Sequence, residues 1–438
     1  MSFAALNLSP PLLQALADAQ HETPTPIQAS AIPVVMAGDD LMASAKTGTG
    51  KTAAFILPAL QRLLTPGTVR GRGPRVLVLS PTRELAGQIK DAASTYARHI
   101  PQIRIGSIVG GVPYPAQQKL LMRPLDLLVA TPGRLLDHIE QRRVDFSRLE
   151  LVILDEADRM LDMGFLQDVE RIMAAAPDSR QTVMFSATFE GPVTALATRL
   201  LKSPKRIRIT TNDASSEHIQ QRIHFVDDSS DKKGVLLGLL AETGVGQAIV
   251  FTSTKRGADK LAAALGGAGH ATSALHGDMR QGQRSRALAQ FRDGALRILV
   301  ATDIAARGID VARISHVFNY DLPRSAEDYV HRIGRTGRAG QSGAAISLAT
   351  HAERGAIRRI ERFTGQAIEH VGAVEAPRRA TQEPRPMRPR RSQPDVRRTA
   401  RAADAPPRVG RVPQKKATAT PGGTAPARRR RSAAAFLG

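Results

Sequence analysis

No cysteine and no tryptophan occur among the 438 residues, and aromatic side chains make up 4% of them. The missing cysteine excludes disulfides, thiolate metal sites and cysteine nucleophiles, and with them thiol redox chemistry. Long apolar runs are missing too: nothing approaches the ~18 uninterrupted apolar residues that a membrane-spanning helix requires. The first twenty residues have no basic start and are broken by Pro10 and Pro11, unlike a secretory signal. The expectation is a soluble, cytoplasmic protein with no membrane partner. Positive charge, in contrast, is abundant, with 62 Lys and Arg against 40 Asp and Glu and a net charge of +22. Such an excess points to a polyanion, and to nucleic acid over an anionic membrane, because the C-terminal arginines alternate with prolines and form no amphipathic helix.

The charge is unevenly spread. Residues 374–438 carry 17 Lys and Arg against 4 Asp and Glu, with ten prolines and one aromatic, and so hold 13 of the 22 net positive charges. A segment of this composition cannot bury enough apolar surface to offset its ordering entropy, and it reads as a disordered basic tail. With a reach of ~45 Å for a flexible chain of this length, it is expected to hold nucleic acid by phosphate charge, outside any cleft. A length of 438 suggests about three domains at ~150 residues each. With the tail set aside, two remain.

Short apolar runs punctuate both halves: RVLVLS at 75–80, LDLLVAT at 125–131, LVIL at 151–154 and TVMFSAT at 182–188, then QAIVFTST at 247–254, ATSAL at 271–275, LRILVATD at 296–303, SHVFNYD at 315–321 and AAISLAT at 344–350. Runs without polar alternation indicate strands buried on both faces, hence parallel sheets in an α/β fold whose ligands gather at the carboxyl ends of the strands. Between the halves lies TTNDASSEH at 210–218, polar and unpatterned. The predicted division is therefore a first domain at 1–209, a linker at 210–218, a second domain at 219–373 and the tail at 374–438.

Two motifs in the first half carry chemistry together. The loop AKTGTGKT at 45–52 offers backbone N–H groups of Thr47, Gly48, Thr49 and Gly50 to phosphates, Lys51 to the β/γ charge and Thr52 to a metal ion. At the mouth of the apolar run 151–154, Asp155 is placed to hold the same metal and Glu156 to hold a water. Either alone reads as a turn or a solvated strand end; in this order they describe a Mg-nucleotide site. The second half has neither motif, but HRIGRTGRAG at 331–340 offers Arg335 and Arg338 to a transferring phosphoryl group. Hydrolysis would then depend on the two halves closing, and RNA bound across both would favour closure. For RNA phosphates and 2′-hydroxyls the candidates are Arg83, Gly110, Gly111, Thr131 and Arg134 in the first half and Gln281, Arg284 and Thr302 in the second.

The motifs PTPIQ at 24–28, AKTGTGKT, PTRELA at 81–86, Gly110-Gly111, TPGR at 131–134, DEAD at 155–158, SAT at 186–188, IVFTST at 249–254, ATDIAARGID at 301–310 and HRIGRTGR at 331–338 stand in the order found in DEAD-box ATP-dependent RNA helicases of superfamily 2, which the chain resembles over roughly residues 3–365, most of all the bacterial RhlE-like branch. The resemblance implies two tandem RecA-like domains, ATP and Mg2+ as cofactors, and RNA-stimulated ATP hydrolysis that opens short duplexes by bending one strand. It further implies that Gln28 reads adenine while Phe3 stacks on it, that Asp310 meets a ribose hydroxyl, and that His331 joins Asp158, Ser186 and Thr188 in coupling hydrolysis to RNA. Ala45 replaces the first glycine of the general phosphate loop, as this family tolerates, and Gln20-His21 stands where many members have Gly-aromatic. A DNA helicase and a non-enzymatic RNA-annealing protein are the rival classes. Ribosomal or RNA-degradation partners, the RNA target and the oligomeric state leave no sequence signature.

Overall fold

The computed structural model describes residues 2–45, 48–67, 69–209, 219–242, 244–306, 311, 314–337 and 342–371. Thr47, Asp310, Arg338, the linker 210–218 and the tail 374–438 lie outside the described residues.

Strands β1 (Leu41–Ser44), β2 (Val76–Leu79), β3 (Ile105–Ile108), β4 (Leu127–Ala130), β5 (Leu151–Leu154), β6 (Gln181–Ser186) and β7 (Lys205–Arg208) form one wholly parallel sheet in the order β3-β4-β2-β5-β6-β1-β7. Strands β8 (Ile219–Val226), β9 (Gln247–Phe251), β10 (Thr272–Leu275), β11 (Ile298–Ala301), β12 (Ile314–Asn319), β13 (Gly343–Thr350) and β14 (Glu369–Val371) form a second, in the order β10-β11-β9-β12-β13-β8-β14. Counted from its own first strand, each sheet is wound 3-4-2-5-6-1-7, so the two lobes repeat one topology. Thr131 directly after β4 and Thr302 directly after β11 therefore occupy equivalent positions.

The apolar runs form strands because both faces of each sheet are covered. In β2, Val76 and Val78 enter one core cluster while Leu77 and Leu79 enter another, and β5 divides in the same way into Leu151 and Ile153 against Val152 and Leu154. The second lobe repeats this, with Val250 on one side of β9 and Ile249 and Phe251 on the other. Parallel strands need crossover segments, and here helices supply them. Their N-termini follow the strand ends: Lys51–Leu64 after β1, Arg83–Tyr96 after β2, Pro132–Glu140 after β4 and Ala157–Asp162 after β5 in the first lobe, Gln281–Arg292 after β10 and Ala326–Ile333 after β12 in the second. Thr82 caps the helix Arg83–Tyr96 by accepting from Leu85 N at 3.2 Å.

Edge strand β7 has the exposed, basic sequence KRIR, and β14 is a three-residue strand. Charged or short edges resist pairing with other chains. Among the described residues no helix is long and apolar enough to cross a membrane.

Candidate functional site

The phosphate loop runs from the end of β1 into the helix Lys51–Leu64. Gly48 and Gly50 take φ of +84° and +89°, a left-handed backbone that side chains other than glycine adopt at a cost. Gly50 is the N-cap of that fourteen-residue helix, and no side chain caps it. Its first N–H groups and the positive end of its dipole are left for an anion. Lys51 is buried, its Nζ donating to the Ala45 carbonyl at 2.9 Å, and Thr52 beside it is half-buried.

Gln28 braces this loop from behind. Its amide oxygen accepts from Thr25 N at 2.9 Å, and its nitrogen donates to the Gly50 carbonyl at 3.0 Å. One N–H and one lone pair of the amide remain, the pair that adenine recognition requires. Phe3, in the short 3-10 helix Phe3–Leu6, is 5% exposed and belongs to the core cluster that includes Ile27.

At the end of β5, Asp155 is 2% exposed and its Oδ1 has no hydrogen-bond partner. Burial pushes its carboxyl up to about 7, against the pull of Lys51 and with a push from Glu156. A buried carboxylate oxygen with an open valence beside a lysine fits a divalent cation in the company of phosphates. No cluster of three or more His, Asp or Glu that could hold a metal occurs among the described residues. This donor set fits Mg2+, which is commonly held by one or two carboxylates, waters and substrate phosphates.

Glu156 takes φ 54° and ψ 53°, left-handed backbone for a residue with a side chain, at the N-cap of the helix Ala157–Asp162. Such a conformation costs about 1–3 kcal/mol and persists where its surroundings enforce it. Here Arg159, 1% exposed, donates from Nη1 to Glu156 Oε2 at 2.9 Å. Arg159 went unnoticed in the sequence, although its i, i+3 spacing from Glu156 on one helix was the available signal. Asp158 accepts from Arg159 N and, through Oδ2, from Ala187 N, both at 2.9 Å, while Ser44 Oγ donates to the Ala187 carbonyl at 3.0 Å. The DEAD and SAT segments are thus joined through the backbone of Ala187. Ser186 is buried with an unpartnered Oγ, and Thr188 is exposed.

The expected RNA residues of the first lobe come together. The Arg83 guanidinium lies against Gly110 and Gly111, where a Cβ on Gly111 would strike it. Gly110 N donates to Thr131 Oγ1 at 3.4 Å, and Arg134 Nη1 donates to the Val112 carbonyl at 2.7 Å. In the second lobe Thr302 N donates to the Leu275 carbonyl at 3.2 Å, which sets it beside His276.

Gln281 and Arg284, expected on RNA, instead face the first lobe. Arg284 and Glu84 form a buried ion pair through Nε and Nη2 at 2.8 Å, and Arg284 Nη1 donates to the His276 carbonyl at 3.0 Å. Gln281 reaches Arg83 and Glu84, each at 3.4 Å. With 5% of its surface exposed, Arg284 has little left to offer a phosphate in this arrangement. Glu84 also escaped the sequence reading: a carboxylate within PTRELA gives no hint of a partner 200 positions away.

In the run 331–337, the arginine not singled out from the sequence has the structural part. Arg332 pairs with both oxygens of Asp303 at 2.5 and 2.8 Å, and it donates to Asn319 Oδ1 and the Asp321 carbonyl. Arg335 is 4% exposed and its Nε donates to the His331 carbonyl at 3.2 Å. His331 and Arg335 line a small pocket with Phe251, Asp303, Asp328 and Arg332.

Comparison with known proteins agrees with this geometry. The DEAD/DEAH box helicase family matches residues 25–196, and the helicase conserved C-terminal domain matches residues 231–340. The ATP-dependent RNA helicase SrmB of Escherichia coli K12 is 43% identical over 369 residues, which cover 84% of this chain and 83% of that protein. The ATP-dependent RNA helicase DeaD of Buchnera aphidicola is 42% identical over 85% of this chain, which spans 61% of that relative's length. Saccharomyces cerevisiae Dbp5 bound to RNA and ADP BeF3 superposes with a TM-score of 0.77 at 32% identity, covering 84% of this chain and 95% of that one. The RhlE-like branch stays an expectation. With two parallel-sheet lobes of RecA-like type, a glycine loop facing an acidic strand end and these relatives, the chain belongs to the DEAD-box helicase family.

Proposed function

We propose that this protein is an ATP-dependent RNA helicase in which RNA-stimulated hydrolysis of ATP to ADP and phosphate drives local opening of short RNA duplexes. The observation that carries this reading is the buried, open-valence Asp155 beside Lys51, behind an uncapped helix N-terminus. The lobes are residues 1–209 and 219–373, joined by 210–218, and the tail 374–438 adds phosphate contacts without selecting sequence. The protein acts in the cytoplasm.

Phosphates of ATP sit on the N–H groups at 47–50, with Lys51 on the β/γ charge. Gln28 reads adenine with the unused half of its amide, and Phe3 and Asp310 complete the nucleoside contacts. Thr52 and Asp155 would hold Mg2+, which when bound would supply positive charge to the phosphates. Glu156 orients the attacking water and accepts its proton, and the Arg159 contact keeps its carboxylate aimed from a strained backbone. Arg335 and Arg338 bring positive charge to the phosphoryl group transferred to water, a contribution of ~10³–10⁵ in rate when an arginine is supplied this way.

Coupling follows from the seam. Arg83, Gly110, Gly111, Thr131 and Arg134 with Thr302 form the RNA track, while Gln281 and Arg284 hold the second lobe against Arg83 and Glu84. His331, Asp158, Ser186 and Thr188 relay closure to the γ-phosphate side. RNA that bridges the lobes favours closure, and by linkage ATP tightens RNA binding equally.

The test is ATP turnover by the full chain with matched RNA and DNA oligonucleotides, alongside Glu156→Gln. Expected are stimulation by RNA over DNA and a loss of ~10²–10⁴ in turnover for the variant, with ATP binding retained. Equal stimulation by DNA would favour a DNA helicase; duplex opening that survives Glu156→Gln would favour an annealing protein.

A further inference from the structure

Tyr114 opens the helix Tyr114–Leu121, three residues past Gly111, and is among the few large hydrophobic side chains left exposed, at 37%. It is nevertheless held in place. Its hydroxyl donates to Asp137 Oδ2 at 2.6 Å, and its ring lies under the Arg134 guanidinium, with Cζ 4.0 Å from the centroid. Asp137 stands three residues after Arg134 on the helix Pro132–Glu140, with an oxygen 3.6 Å from Arg134 Nε. One carboxylate therefore grips both the arginine and the tyrosine on which it rests.

The guanidinium is fixed on three sides: the Val112 carbonyl on Nη1, Asp137 towards Nε, and the ring against one face. Nη2 has no hydrogen-bond partner among the described residues. A planar fork with its stem locked and one nitrogen open is arranged to donate to a phosphate oxygen. A flexible surface arginine would lose rotamer freedom on making the same bond; here that cost is already met by folding.

We propose that Tyr114 is a positioning residue for RNA: with Asp137 it locks the Arg134 guanidinium in the orientation that meets the RNA backbone just beyond Gly110-Gly111. This rests on the RNA-helicase reading above. The cation–ring contact supplies the clamp, and the hydroxyl bond to Asp137 keeps the ring beneath the guanidinium.

The experiment measures the RNA concentration for half-maximal ATPase stimulation, and its salt dependence, in the full chain and in Tyr114→Ala, Tyr114→Phe, Arg134→Ala and the double variant Tyr114→Ala/Arg134→Ala. Tyr114→Ala is expected to raise half-saturation by about three- to tenfold and to flatten the log–log salt slope by close to the ~0.7 that one single-strand phosphate contact contributes. The rate at saturating RNA should fall far less. Tyr114→Phe, which keeps the ring, should recover more than half of the loss. In the Arg134→Ala background, removing Tyr114 should add nothing. Unchanged half-saturation in Tyr114→Ala, or effects of the two alanine changes that simply multiply, overturns the proposal. If Tyr114→Ala does not fold, the same reading falls to Tyr114→Phe combined with Asp137→Asn: no shift in half-saturation overturns it. Absence of RNA stimulation in the unaltered chain would instead sink the helicase reading itself.

Discussion

At Asp155 the demands of folding and of chemistry conflict in one side chain. Its carboxyl is pushed up from 3.8 to about 7 by burial, so the folded chain binds that proton more tightly than the unfolded chain does. The group then costs no stability below its unfolded value, and stability is lost progressively as pH rises through the interval up to about 7. At ~1.4 kcal/mol per unit the loss amounts to a few kcal/mol for the nucleotide- and metal-free protein. Asp155→Asn is accordingly expected to raise the melting temperature at pH 8 in the presence of a chelator, to leave it unchanged near pH 4, and to abolish ATP turnover. Calorimetry at the two pH values checks this. The sequence made Asp155 and Glu156 legible because an acidic pair after four apolar residues is a local pattern. The i, i+3 spacing only hinted at Arg159 as the brace of Glu156, since an arginine on a helix is usually solvated, and its 1% exposure here is what reveals its part.

Among the elements, the plainest in the sequence are the strands buried on both faces, such as β2, β5 and β11, whose unbroken apolar runs have no other use. Five strands escaped notice. β1 is the four residues LMAS, β7 and β14 are polar edges, β3 is IGSI, and β8, IQQRIHFV, mixes polar and apolar residues without a run. Their strandedness comes from neighbours in the sheet, which no local window contains. The connection of β1 to its helix is the element on which nucleotide binding turns. A Cβ on Gly50 would run into the Gln28 amide, and φ of +89° would strain any side chain there by about 1–2 kcal/mol. Gly50→Ala is expected to weaken ATP binding by at least about tenfold in a fluorescent-nucleotide titration while the sheet signal in circular dichroism is kept.

On the scale of the whole molecule, the lobes meet through charge. The core clusters each stay within one lobe, whereas the seam includes the buried Arg284–Glu84 pair and the Gln281 contacts. Breaking a buried ion pair by removing one partner costs about 3–5 kcal/mol when the survivor stays buried. In the proposed cycle the lobes part and hydrate the survivor, so the cost should appear as a shift towards the open form. Glu84→Ala is expected to raise RNA half-saturation at least about tenfold with little change in thermal stability. The swapped pair Glu84→Arg with Arg284→Glu should recover part of that, as ATPase titrations would report. The repeated strand order carries a consequence for how a bound strand would run. The two halves are wound alike, yet the glycine loop and the acid pair stand in the first alone and the arginine run 331–338 in the second. Because the winding repeats, Thr131 and Thr302 stand at matching strand ends, so a strand lying across both lobes, as proposed, would find like terrain on either bank.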